Sequence, residues 1–193
     1  TIEAKGGTAT DPEEIVRMAV SQKAFFGKKG GITFSGGEPT FQAKSLIPLF
    51  KRLKEKGIHI CLDTNGGLWN NDVEELLELT DLVLLDIKEF NPEHHQSLTG
   101  RSNEQTLKTA AWLETNHKPF WLRYVLVPGY SDFEDDIRQL GEQFSWIDTD
   151  RVGIWGASGG GYATARALLE FGDFYKVGVS MCGNHDQAIY HAH

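Results

Sequence analysis

The run Leu82-Val83-Leu84-Leu85-Asp86-Ile87-Lys88 constrains the fold more than any other stretch. It is nearly continuous in apolar residues, as expected of a strand covered on both faces, and such strands belong to parallel sheets under helices. Shorter β-prone runs at 32–35, 58–62 and 121–127 alternate with helical segments. Strand, loop, helix, repeated, implies parallel strands joined by right-handed crossovers. The expected class is α/β.

The helices are bounded by recognisable signals. Asp11 can cap, Pro12 suits a first turn, and Glu14 completes a capping box. That helix is expected over 11–26 with Ile15, Met18, Ala19 and Phe25 inward. A second is expected over 43–56, burying Leu46, Leu49, Phe50 and Leu53 and stopping at Gly57. Its Lys51, Arg52, Lys54 and Lys56 read as a solvated face. Asn71 and Glu74 form another capping box before a helix over 71–79. Further helices are expected over 92–98, 104–115 and 132–144. His94-His95 reads as surface helix.

Polar residues gather where the strands end: Glu38, Asp63, Asn65, Asp86, Lys88 and Arg123. In βα folds these C-terminal ends share one rim and face one site. The first end is built as Ser35-Gly36-Gly37-Glu38-Pro39. Glycine permits a sharp turn and close approach of backbone to a ligand. A Gly-Gly-Glu there can offer carbonyls and a carboxylate to an ammonium group. Alone it also reads as a plain strand-to-helix turn. The recurrence of charged residues at the other strand ends raises it above that.

Composition narrows the partners. The 193 residues are 40% hydrophobic and 24% charged, enough for a sizeable core. A net charge of −8 argues against nucleic acid or an anionic membrane as partner. No apolar run is long enough to span a bilayer, and no signal peptide opens the chain. The start at Thr1, without an initiator methionine, reads as a cut point in a longer protein. The two cysteines, Cys61 and Cys182, are far apart. That suits a reducing cytoplasm and rules out a local multi-cysteine metal site.

Four stretches together carry a resemblance: 30–39 (GGITFSGGEP), 61–66 (CLDTNG), 85–88 (LDIK) and 123–129 (RYVLVPG). Over 1–144 the chain resembles the radical S-adenosylmethionine (SAM) enzymes that activate glycyl-radical enzymes such as pyruvate formate-lyase. The resemblance implies a parallel partial (βα) barrel that binds SAM and a [4Fe–4S] cluster. There the reduced cluster cleaves SAM to a radical, which takes hydrogen from a glycine of the partner enzyme. It implies that Gly36, Gly37 and Glu38 meet the SAM amino group. Asp63 and Thr64 would lie near SAM or a monovalent cation beside it. Asp86, Lys88 and Arg123 would face the rest of SAM or the radical path; an inward ion-pair network is the other reading of Asp63, Asp86 and Lys88. The family holds its cluster with a Cys-x3-Cys-x2-Cys loop, which this chain lacks. The chain as given is therefore expected not to make radicals.

After about Ser145 the character changes. Gly156-Ala157-Ser158-Gly159-Gly160, with a strand expected before it over 152–155 and a helix after it over 162–171, resembles the nucleophile elbow of prolyl oligopeptidase-type α/β-hydrolases. A next strand is expected over 175–181. The resemblance makes Ser158 the nucleophile and the Gly159 amide an oxyanion donor. The family's acid and histidine lie beyond the residues left, so Asp173, Asp186, His185, His191 and His193 remain as stand-ins. The terminal histidines otherwise read as a frayed tail.

The expected domains are 1–144, a radical SAM-like partial barrel, and 145–193, a hydrolase-like βαβ segment continuing it or appended to it. The hypothesis is a recombined or engineered chain. Three functions stand open: the SAM-binding core of an activating enzyme, a serine hydrolase, or a scaffold without activity. Open sheet edges could pair with a second copy as a homodimer.

Overall fold

The computed structural model describes residues 9–27, 30–127, 130–131, 134–144, 147–183 and 185, and side chains at 134–137 and 143 are outside the description. The chain divides into two compact units, Thr1–Asp136 and Ile137–His193. The division falls within a helix, ahead of Ser145.

The first unit follows the element order α1 (Pro12–Ser21), α2 (Lys23–Phe26), β1 (Gly31–Phe34), α3 (Ala43–Glu55), β2 (His59–Thr64), α4 (Asn71–Leu79), β3 (Leu82–Ile87), α5 (Pro92–Thr99), α6 (Glu104–Thr115) and β4 (Phe120–Tyr124). A single 3-10 turn, Pro39–Gln42, precedes α3. The four strands are parallel in the order β1-β2-β3-β4. Parallel neighbours in sequence order, joined by crossovers of one hand, put their helices on one face and leave the other as an inner face. The helix-side residues Ile60, Leu62, Val83, Leu85 and Ile87 are fully buried, with Phe50 and Leu53 of α3 and Leu76 and Leu77 of α4. α3 packs on α4 and β2.

β3 is not covered equally on both faces. Its burial alternates, with Leu82 and Leu84 only half-buried. They line an inner-face groove with Cys61 and Trp121, because an arc of four strands leaves that side partly open.

Asp11 caps α1 as expected, accepting from the Glu13 amide at 3.0 Å. Of the residues expected inward, Ala19 is buried and Ile15 half-buried, while Met18 and Phe25 are 57% and 84% exposed and Val16 is buried instead. For Phe25 the reason is a break at Gln22, which ends α1 and starts the short α2 in a new phase. In α3, Leu49, Phe50 and Leu53 are buried with Ile47, and Leu46 is half-buried. The cap of α4 is Asn70, whose side chain accepts from the Val73 amide at 2.9 Å, not Asn71. His95 is buried, not on the surface, and its Nδ1 lies 2.8 Å from the Arg101 carbonyl.

The basic face of α3 is paired with neighbouring elements. Lys51 meets Glu75, Arg52 meets Glu13, and Lys54 meets Asp81. Asp81 also accepts from the Ile60 amide at 2.9 Å, tying the start of β3 to β2. Burial alone would raise the Asp81 carboxyl, but hydrogen bonds from Lys54 and Ile60 with the charges of Lys54 and His59 hold it below its ordinary value.

The second unit contains the 3-10 turn Thr149–Arg151, β5 (Gly153–Ala157), α8 (Gly159–Glu170) and β6 (Val177–Met181). α7 (Glu134–Gln143) spans the division. β5 and β6 are parallel and form their own two-stranded sheet. α8 packs on both. Among the described residues, no helix is long and apolar enough to cross a membrane.

Replacing Asp81 by Ala leaves the Ile60 amide without its acceptor and should cost about 1–3 kcal/mol. A carboxyl lowered in the folded state stabilises fully above the ordinary carboxylate range, near pH ~4, and loses that contribution as pH falls through the folded value. Urea titrations should therefore show a wild-type advantage over Asp81→Ala that is full at pH 7 and shrinks below about pH 4. A gap that widens on acidification would contradict this assignment.

Candidate functional site

The turn after β1 takes a shape that side chains resist. Gly36 has φ 90° and Gly37 φ 59°. A Cβ at either would meet nothing within 4 Å, so it is the backbone conformation that calls for glycine. Glu38 follows in extended conformation and caps the 3-10 turn.

The Glu38 carboxylate is held by four donors. Oε1 accepts from the Thr40 amide at 3.1 Å, the Thr40 hydroxyl at 2.7 Å and the Thr64 hydroxyl at 2.7 Å. Oε2 accepts from the Asn65 amide at 2.9 Å. Thr64 in turn accepts from the Gly66 amide at 3.0 Å, and the Asn65 side chain from the Gly67 amide at 2.8 Å. The loop after β2 is thus coiled against the loop after β1.

Beside it lies a charged quartet from three strand ends. Arg123 of β4 donates to Asp63 of β2 and lies 4.0 Å from Asp86 of β3. Lys88, just past β3, pairs with Asp86. Two polar atoms of the quartet, Asp86 Oδ1 and Arg123 Nε, are buried without a hydrogen-bond partner.

All eight residues expected at the cofactor, Gly36, Gly37, Glu38, Asp63, Thr64, Asp86, Lys88 and Arg123, line one cleft of about 280 Å³ with Ser35 and Asn65. That is at the lower end of the roughly 300–1,000 Å³ of small-molecule sites. Sequence reasoning missed Thr40, which binds Glu38 through both amide and hydroxyl. The signal was present: an acid before proline caps a helical turn, and the amide two residues on is its donor. It also missed Asn103, Thr106 and Thr109, whose side chains bind the loops after β2 and β3.

The donor set suits a zwitterion with a further positive centre. Carboxylates and turn carbonyls can meet an ammonium, Arg123 and Lys88 can meet a carboxylate, and the orphaned Asp86 Oδ1 and Arg123 Nε remain to be satisfied. The cysteines do not suit an iron–sulfur cluster. Cys61 is buried in β2, and Cys182 is exposed in the second unit. Among the described residues, no three His, Cys, Asp or Glu side chains are grouped to hold a metal.

Ser158 sits between β5 and α8 with φ 55° and ψ −120°. A Cβ on Gly156 would lie 2.3 Å from the Gly160 carbonyl oxygen, so β5 and the start of α8 touch through glycine alone. No oxygen or nitrogen of the stand-in partners that are described is placed against the serine hydroxyl. His185 Nε2 lies 3.5 Å from Ser180 Oγ, and Asp173 pairs with Arg138 at 3.8 Å. Asp186, His191 and His193 lie outside the described residues.

Comparison with known proteins covers both parts of the chain. A family model described as the radical SAM superfamily matches residues 3–141. One described as the prolyl oligopeptidase family matches residues 127–193. Pyruvate formate-lyase 1-activating enzyme of Escherichia coli (strain K12) is 43% identical over 145 residues, 74% of this chain and 59% of that protein. The pyruvate formate-lyase-activating enzyme of Streptococcus mutans is 47% identical over 135 residues, 67% of this chain and 51% of that protein. The chain therefore spans between half and three-fifths of these relatives. Among solved structures, a domain of pyruvate-formate lyase-activating enzyme from Bacteroides vulgatus superposes with TM-score 0.60 at 24% identity, covering 77% of this chain and 98% of that one. Streptococcus suis SuiB bound to S-adenosylmethionine gives TM-score 0.67 at 15% identity, covering 91% of this chain and 43% of that one. At these identities the two structures speak for the fold alone, a partial barrel of radical SAM type.

Burial pushes the Cys61 thiol above its ordinary value; the Thr33 hydrogen bond opposes this, Asp63 adds to the rise and Arg123 offsets it. At pH 8 an aromatic disulfide reagent should therefore titrate Cys182 quickly and Cys61 only on unfolding. Two fast thiols in the folded chain would place Cys61 in solvent and contradict the packing of β2.

Proposed function

The chain belongs to the radical SAM superfamily, and from that premise we propose that it is the SAM-binding core of a protein that activates a glycyl-radical enzyme. The observation that carries the reading is the convergence of Glu38, Asp63, Asp86, Lys88 and Arg123 on one cleft at the strand C-terminal ends. Those ends are where parallel α/β folds take their ligands.

When bound, SAM supplies a sulfonium open to reductive cleavage. The chain's own residues bind and orient it. The Gly36-Gly37 turn and the carboxylates receive the ammonium. Glu38 holds that turn in place, because its carboxylate is already engaged by Thr40, Thr64 and Asn65. Arg123 and Lys88 meet the ligand carboxylate or ribose, with Asp63 and Asp86 keeping them aimed. No step is assigned to a cluster, because the two cysteines do not fit one. The partner, a glycyl-radical enzyme such as pyruvate formate-lyase, is proposed from the relatives.

A second reading is favoured by the backbone of Ser158, which takes a left-handed φ at a strand-to-helix turn as a nucleophile elbow does. On this reading residues 145–193 are a hydrolase-type βαβ piece joined to the barrel. Among the described residues no base is placed against Ser158, and an elbow serine so situated is a poor nucleophile, so the piece is proposed as a scaffold element.

Calorimetric titration with SAM tests the first reading. Wild type should give saturable heat, and Glu38→Ala should weaken binding about tenfold or more through loss of the turn's anchor. No heat with wild type, or equal affinity in Glu38→Ala with an unchanged circular dichroism spectrum, would remove it. The second reading is tested by a fluorophosphonate probe. The scaffold role predicts no labelling, whereas labelling that disappears in Ser158→Ala would make the segment an active hydrolase.

A further inference from the structure

One face of α6 is polar, buried and turned toward two loops of the cleft. Asn103, Thr106 and Thr109 stand three residues apart, and their exposures are 2%, 7% and 1%. Asn103 Nδ2 donates to the carbonyls of Glu89 at 3.1 Å and Phe90 at 2.6 Å. The Thr106 hydroxyl donates to the Asn65 carbonyl at 2.8 Å, and the Thr109 hydroxyl to the Gly66 carbonyl at 2.8 Å. The acceptors belong to the loop after β2, which follows Asp63 and Thr64, and the loop after β3, which follows Asp86 and Lys88.

These side chains are not explained by the helix itself. A threonine in a helix ordinarily bonds its hydroxyl back to the carbonyl four residues earlier. Thr99, Thr115 and Thr164 do so, reaching His95, Ala111 and Gly160. Thr106 and Thr109 reach out of the helix instead. Asn103 stands at the cap position of α6 yet makes no capping bond with its side chain, which goes to the β3 loop. Threonine is a weak helix former, and a buried helix face is served better by Ala or Leu. The polar choice is accounted for by the loops.

The Asn65 peptide links this face to the Gly-Gly-Glu turn. Its carbonyl is held by Thr106, and its amide donates to Glu38 Oε2 at 2.9 Å. We infer that Asn103, Thr106 and Thr109 are positioning residues for the SAM cleft. They fix the β2 and β3 loops from behind and, through the Asn65 peptide, set Glu38 and the turn it anchors. The inference rests on the SAM reading of the cleft, and it adds a helix that does not line the cleft to the residues that determine its affinity.

Thr106→Val removes the hydroxyl and keeps the volume; Thr106→Ser keeps the hydroxyl. Two measurements are made on the whole chain: amide exchange at Asn65 and Gly66 without ligand, and SAM affinity by calorimetry. Thr106→Val should speed exchange at both amides about tenfold and weaken SAM binding about tenfold. Thr106→Ser should stay within about twofold of wild type in both. Thr115→Val, altering a back-bonded threonine of the same helix, should change neither. Wild-type exchange and affinity in Thr106→Val overturn the inference. So does a Thr106→Val chain that fails to fold, since the hydroxyl then serves the fold and not the cleft. A wild-type chain without SAM affinity removes the SAM reading, while the exchange comparison still decides whether α6 positions the loops.

Discussion

The cleft depends on the Glu38 carboxylate and its four hydrogen bonds. Two successive glycines at positive φ give the β1 turn many conformations and no strong preference among them. Hydrogen bonds to an ionised acceptor are roughly twice as strong as neutral ones, so a carboxylate is an effective way to select one conformation. The donors come from both sides: Thr40 from the turn itself, Thr64 and Asn65 from the end of β2. The bonds therefore fix the turn and the β1–β2 mouth together. Gly36-Gly37 supplies the freedom to adopt the shape, and Glu38 removes the remainder. This division of labour makes Glu38 a structural anchor whose charge also contributes to the cleft.

The inner face of the sheet changes character along its strands. In each of β2, β3 and β4 an apolar groove residue is followed two positions later by a charged cleft residue: Cys61 by Asp63, Leu84 by Asp86, and Trp121 by Arg123. Leu84 is registered with Trp121 and Asp86 with Arg123, while β2 is staggered, with Cys61 opposite Leu82 and Asp63 opposite Leu84. Partly exposed ion pairs contribute little to stability, and the unpartnered Asp86 Oδ1 and Arg123 Nε are a cost. A sequence selected for stability alone would continue the apolar row. Three strands make the same switch at their C-terminal ends, and it is this repetition that the proposed ligand reading of the quartet rests on.

The strands and the residues at their ends were legible because both signals are local. A short apolar run bounded by glycine reads as a strand, and the polar residue after it reads as a rim residue whatever the crossovers do. What the sequence hid depends on contacts between distant residues. Phe25 was misplaced because the helix breaks at Gln22 without a proline or glycine to mark it. His95 read as surface because its neighbours are polar, yet it is buried where the chain after α5 folds back and presents the Arg101 carbonyl. Asn103, Thr106 and Thr109 read as indifferent helix residues, since nothing nearby in the chain announces the carbonyls they bind. The inner face of β3 read as covered, and only the count of strands beside it leaves it half-open.

In the second unit the strain lies at one residue of a strand-to-helix turn. Ser158 holds a left-handed φ that costs a non-glycine residue about 1–3 kcal/mol. A generic strand-to-helix turn would avoid that by placing glycine there, and glycine occupies the next three positions instead. The conformation is over-determined by its neighbours: the Ser158 amide donates to the Met181 carbonyl at 2.9 Å, and its carbonyl accepts from Gly161 and Tyr162. Gly156 allows the contact with Gly160 that closes the elbow. Meanwhile Trp155, Val177 and Val179 of the same small sheet are 68%, 62% and 54% exposed. The strained serine is thus held by backbone hydrogen bonds and by a glycine contact, all within β5, α8 and β6. The chemistry argued for the chain rests on the cleft of the first unit.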